Sequence, residues 1–332
     1  MSVFRPTVDS FVDSKDVQTN TISYQWPLIL YTVLFALVAP SYILILIFIL
    51  KRRKHVVLFR SNFYTILIQH SLADICSLFF YSIQKLSYVL IPLLLFDNQE
   101  YGTAAVCYNG LYWSFAIRSN GIGLMTIHRY LVITKPMNMI TQHFQQAQSW
   151  KIWLAYWIPS LSFSAMCFSY AKIGFDSPER MILVMDSNYI SRTTKIISIY
   201  VLISCVFCLV SYGLIAKFVR AKSYTISTSL KREFRLAFQV SLSFAAQVIL
   251  LIYLLISNVF AVMGNTEQIV NTRRYFPLAY GILSFIGPFT ILIFNKDVSK
   301  GMKDMILGKQ ANFSIDSSVI TVTTKRKTTS TP

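Results

Sequence analysis

Ile117-Arg118-Ser119-Asn120, and a few residues on His128-Arg129-Tyr130-Leu131-Val132-Ile133-Thr134-Lys135-Pro136, belong to one otherwise apolar stretch that carries two arginines. Arg118 and Arg129 are 11 residues apart. On a helix that is about 16 Å, or three turns, so both fall near one face. A cation at mid-depth in a membrane helix costs about 2.5–3.5 kcal/mol on insertion scales and is kept when it has a partner or a task. The stretch therefore predicts the axis of a helical membrane bundle.

The rest of the chain agrees with that class. Its 332 residues are 54% hydrophobic and only 14% charged, against about a quarter charged in ordinary soluble domains. The net charge of +17 does not point to nucleic acid, because the basic residues sit in short clusters between long apolar runs, as loop charges do on membrane proteins. Cys76, Cys107, Cys167, Cys205 and Cys208 lie in or beside apolar segments. None has a zinc-like spacing with histidine. Cys205 and Cys208, one helical turn apart, read as packing residues.

Seven spans are expected. They are Leu28–Leu50 with Pro40 inside, Asn62–Gln84, Ala104–Thr134, Ile152–Tyr170 with Pro159, Ile196–Ala216, Leu236–Gly264, and Tyr275–Asn295 with Pro277 and Pro288. Each is long enough to cross about 30 Å of hydrocarbon. Residues 1–27 form a polar extracellular tail without a cleavable leader. Ala171–Lys195 reads as a polar loop. Residues 296–310 suit a short amphipathic helix on the inner leaflet, with Val298, Met302, Met305 and Ile306 at helical spacing. The Ser/Thr-rich segment 311–332 reads as a disordered cytoplasmic tail. With the N-terminus outside, 21 of the 31 Lys/Arg fall on inner segments and 8 on outer ones, the bias expected of that orientation.

Asp74 is the one acid inside a span, and His70 precedes it by a helical turn on the same face. Asp74 and Arg118 lie at comparable depth. A direct buried ion pair between them is expected to tie the second helix to the third. His70, Asn120 and Pro288 complete the expected polar core.

Here a resemblance becomes specific. His128-Arg129-Tyr130 through Pro136 resembles the Asp-Arg-Tyr-to-Pro motif that closes the third helix of rhodopsin-like G-protein-coupled receptors. Ser71-Leu72-Ala73-Asp74 resembles their second-helix Leu-Ala-x-x-Asp, and Gly287-Pro288 with Ile291 a degenerate Asn-Pro-x-x-Tyr on the seventh. Residues 28–310 look most similar to nematode serpentine chemoreceptors, the class gamma/class V group. The resemblance implies a seven-helix receptor in the plasma membrane, with the sensory cilium as one such location. It also implies a small-molecule ligand outside and a heterotrimeric G protein inside.

By the same resemblance His128, Arg129 and Tyr130 face the G protein, and Glu233 pairs with Arg129 at rest. The family's ligand pocket opens among the outer halves of the third, fifth, sixth and seventh helices. Tyr108, Tyr112, Trp113, Tyr253, Phe276 and Tyr280 are the candidates there, with Lys85 as counter-charge for an acidic ligand. Several positions depart from the family. His128 replaces an acid, Arg118 stands where a small polar residue helps Asp74 hold sodium, and the sixth span lacks proline. The family's outer disulfide has no counterpart, since Ala171–Lys195 holds no cysteine. A Cys107–Cys167 bridge is the geometric alternative to two free thiols, and free thiols are expected.

Two other classes fit the sequence less well. A transporter or channel would carry polar or Gly/Pro-broken spans in matching positions, which the fifth and sixth spans do not. An intramembrane hydrolase would need several His, Asp or Glu ligands within the spans. No catalysis, metal or cofactor is expected.

Overall fold

The computed structural model describes residues 26–167, 173–179, 181, 183–184, 187–221, 228–264 and 266–307. Residues 1–25 of the expected polar tail 1–27 and the whole Ser/Thr-rich segment 311–332 lie outside them, and α1 takes up residues 26 and 27. Eleven α-helices are described: α1 (Trp26–His55), α2 (Asn62–Leu90), α3 (Pro92–Asp97), α4 (Thr103–Thr134), α5 (Met139–Gln146), α6 (Ser149–Cys167), α7 (Ser187–Ala221), α8 (Thr228–Val262), α9 (Thr266–Arg273), α10 (Phe276–Phe294) and α11 (Lys296–Ile306).

α1, α2 and α7, and α8 at its start, run past the apolar segments that announce them, whereas α10 stays within its own. Hydropathy marks only what lies in hydrocarbon, whereas the backbone ladder continues until a turn signal ends it. α2 stops where Pro92 begins the next short helix, because the residue before a proline is pushed out of helical geometry. α4 is entered through its N-cap Gly102, whose φ of 82° suits a residue without Cβ. The expected loop Ala171–Lys195 is partly regular. Gly174–Phe175 pairs antiparallel with Leu183–Val184, and α7 already begins at Ser187.

Among the described residues, five segments are long and apolar enough to cross a membrane: α1, α2, Ser191–Ala221, Leu230–Val262 and Asn271–Phe294. The 32-residue α4 and 19-residue α6 pack among them. α4 touches α2, α6, α7 and α8, the place expected of the axis. Its middle tolerates Arg118, Ser119 and Asn120 because protein, not lipid, surrounds it. Arg118 and Asp74 are both 0% exposed, while Leu37 and Ile203 are each 65% exposed. Charges inside and large aliphatics outside is the distribution of a bundle whose solvent is lipid.

Prolines interrupt α1, α6 and α10, but α8 runs 35 residues without one. Beyond α10, Asn295 caps α11 by accepting from the Val298 N–H at 3.3 Å. Val298 and Met302 are buried, and Gly301 lies directly against the Phe48 ring of α1. α11 is thus docked on the bundle through this face.

Candidate functional site

The centre of the bundle is a polar network spanning five helices. The Asp74 carboxylate on α2 accepts from Tyr42 Oη of α1 at 2.6 Å and from Ser284 Oγ of α10 at 3.2 Å. His70 Nε2 lies 3.6 Å from it, one turn earlier. Nδ1 of the same ring meets Tyr156 Oη of α6 at 3.2 Å. From α4, Arg118 Nη1 donates to Ser284 Oγ at 2.9 Å and to the Tyr280 carbonyl at 3.1 Å. Its Nε donates to the Ser114 carbonyl at 3.0 Å. The Tyr280 ring lies under the guanidinium, 4.5 Å from Cζ to the ring centre.

This corrects one expectation. Asp74 and Arg118 do share a network, but not a direct ion pair: the Ser284 hydroxyl stands between them, accepting from the cation and donating to the anion. Burying two charges is tolerable when each keeps its hydrogen bonds. One small hydroxyl supplies both while also tying in α10.

Two glycines leave the room this geometry needs. A Cβ at Gly287 would stand 2.6 Å from Tyr42 Oη, and one at Gly121 2.5 Å from His70 Nδ1 and 2.6 Å from Tyr156 Oη. Asn120 does a different task from the one expected of it. Pro159 has no N–H to offer the Ala155 carbonyl four residues earlier. Asn120 Nδ2 reaches across from α4 and donates to that carbonyl at 3.1 Å and to the Tyr156 carbonyl at 2.6 Å. Pro288 likewise sits inside α10, one turn after Ser284. Nearby, Gln247 of α8 donates to Ser204 Oγ of α7 at 3.0 Å, which donates to the Ser119 carbonyl of α4 at 3.3 Å.

Towards the N-terminal end of α4 lies an aromatic layer. Tyr108 donates to Tyr112 Oη at 3.1 Å, and Tyr112 packs edge-on to Phe115. Phe115 meets Phe276 and Tyr280, and Tyr253 meets Phe276 at 6.0 Å. Five of the expected ligand residues are therefore brought together as one packed body. Lys85 borders it, its ammonium 5.6 Å from the Tyr81 ring centre and 5.2 Å from that of Tyr88. Trp113 is not part of it. One residue past Tyr112 is about 100° round the helix, and its ring sits 6.2 Å from Trp157. There it lines a groove of about 380 Å³ between α2, α4 and α6, beside the exposed Cys76, Val106 and Leu161. Cys107 is a free thiol, and the Cys167 side chain lies outside the described residues.

At the other end of α4, the Arg129 guanidinium lies 3.4 Å from the centre of the Phe63 ring of α2 and pairs with Glu233 of α8. Among the described residues its Nε and Nη2 have no hydrogen-bond partner. His128 is buried between Phe63 and Phe144, 5.7 Å from each ring. Tyr130 packs in a separate cluster with Ile133, Ile215 and Ala237. His128 and Arg129 thus share the Phe63 ring, while Tyr130 turns to a different face.

Sequence reading missed Tyr42, Tyr156 and Ser284. Ser284 had a signal, one turn before a span proline. Tyr42 and Tyr156 had none, since a tyrosine in an apolar run looks the same whether it packs or donates.

The family model described as serpentine type 7TM GPCR chemoreceptor Srv matches residues 31–307, well over half of the chain. No curated protein matches it.

Proposed function

We propose that this chain, which belongs to the serpentine seven-transmembrane Srv chemoreceptor family, binds an extracellular small molecule and passes the event to a heterotrimeric G protein. It is a multi-pass membrane protein. In this reading α1, α2, α4, α6, α7, α8 and α10 are the seven spans. The N-terminus is outside the plasma membrane, and the basic connections and α11 face the cytoplasm.

The observation that carries the reading is the Arg129–Glu233 pair. It joins the axial helix to α8 at the end where the Lys/Arg clusters lie. A ligand entering the aromatic layer displaces Phe276 and Tyr280. Tyr280 is three contacts from Asp74, through Arg118 and Ser284, so the network has a different best arrangement once α10 moves. A ligand that favours that arrangement shifts the population towards it. Parting Arg129 from Glu233 then frees the arginine and the inner loops for the G protein. The Tyr108, Tyr112 and Tyr253 hydroxyls with Lys85 suit a small aromatic-compatible molecule bearing an acceptor or acidic group. The mutual satisfaction of the polar core favours a receptor over a conduction path, which needs groups free to meet an ion.

The test is a ligand screen with G-protein activation as readout, run beside Arg129→Ala. Ligand-driven activation is expected to disappear in the variant at unchanged surface abundance. A full response in Arg129→Ala, or ion current without G protein, defeats the proposal. Tags on the two termini are expected on opposite sides of the membrane.

A further inference from the structure

A second ion pair lies beside Arg129–Glu233. Arg232 Nη2 of α8 donates to Asp297 Oδ2 of α11 at 3.0 Å, with the two side chains 23% and 33% exposed. Arg232 and Glu233 are neighbours in sequence and opposite in charge. Consecutive helical positions point about 100° apart, so this end of α8 is gripped from two sides. Glu233 binds α4 and Arg232 binds α11.

The partner on α11 is firmly presented. Val298 and Met302 are buried, and Gly301 abuts Phe48. Tyr64 Oη of α2 lies 3.2 Å from Asn295 Oδ1 and 3.1 Å from Nδ2, at the residue that caps α11. Asp297 is therefore fixed to α1, α2 and α10 through its own helix. A polar chain runs from Tyr64 through Asn295 and α11 to Arg232, and from its neighbour Glu233 to Arg129.

We propose that Arg232–Asp297 is a second latch on α8, through which the juxtamembrane helix α11 holds the coupling end of the bundle closed. Its effect on signalling rests on the reading above, in which α8 leaves α4. Its existence as a restraint does not. The pair is partly exposed, so its strength is modest, and α11 can release α8 without unfolding. Anything that lifts α11 from α1 also loosens α8.

The test uses full-length protein in lipid nanodiscs and in cells. Arg232→Gln and Asp297→Asn are each expected to raise basal G-protein activation about two- to fivefold, the equilibrium shift expected of a partly exposed pair. The double variant is expected to match either single one, because residues acting through each other are not additive. Spin labels at Lys231→Cys on α8 and Lys300→Cys on α11 give a readout that needs no G protein. Their separation is expected to lengthen or broaden in both single variants. Asp297 also sits in the first turn of α11, where an acid favours the helix N-terminus. An effect of Asp297→Asn without one of Arg232→Gln would therefore mean capping and would overturn the latch, as would label distances unchanged in both. Moved labels with flat signalling, in these variants and in Glu233→Ala, would keep the restraint and sink the coupling reading instead.

Discussion

The hydroxyl of Ser284 is the smallest group in the polar core, and both buried charges lean on it. Ser284→Ala leaves Arg118 short of an acceptor and Asp74 short of a donor. Thermal unfolding of purified protein is expected to show a loss of about 1–3 kcal/mol. The same geometry predicts that exchanging the charges fails. Arg118 is surrounded by the carbonyls of Ser114 and Tyr280, which would face a carboxylate acceptor to acceptor. Asp74→Arg with Arg118→Asp is expected to be no more stable than either single variant, each of which loses about 3–5 kcal/mol. A rescued double variant would mean that the charges attract directly. That a carboxylate and a guanidinium share one core was legible in the sequence, since depth along two helices can be counted. The serine between them was not legible, because counting along each helix does not fix how far apart the helices stand.

At the scale of elements, α6 is repaired by α4 and α10 yields to α1. If Asn120 covers the carbonyl that Pro159 leaves open, the two substitutions are coupled. Asn120→Ala alone is expected to cost about 1–3 kcal/mol. In a Pro159→Ala background, where an N–H returns to Ala155, the same change is expected to cost at least ~0.5 kcal/mol less, beyond the error of additivity. Chemical unfolding of the four proteins measures this, and additive costs would exclude the repair. Gly287→Ala is expected to push Tyr42 away from Asp74 at a cost of about 1–3 kcal/mol. Gly213→Ala on α7, whose Cβ would meet nothing within 4 Å, is expected to be neutral or to gain up to about 1 kcal/mol from helix propensity. Helix positions were readable from apolar runs and prolines to within a few residues. Their ends were not, since interfacial polar residues such as Arg192 and Lys195 continue α7. The ribbon of Gly174–Phe175 and Leu183–Val184 carries no strong alternation to betray it.

For the whole molecule, Glu233→Ala is expected to raise basal signalling by removing the carboxylate that holds Arg129, with cell-surface abundance unchanged. Unchanged basal signalling would count against the pair as a resting restraint. The axial role of α4 followed from its two arginines. The aromatic layer was legible except for Trp113, where a single residue of phase turns a side chain from the interior to the α2–α6 side. The unbroken α8 has a mechanical consequence. Without a proline it does not bend sharply, so it moves as a stiff lever. Buried Gln247, tied to Ser204, is a natural fulcrum. From there Glu233 is about 21 Å away and Tyr253 about 9 Å. A tilt that shifts Tyr253 by one ångström therefore sweeps Glu233 through roughly twice that arc, so the unequal arms magnify a slight rearrangement among the aromatic rings where Arg129 is held.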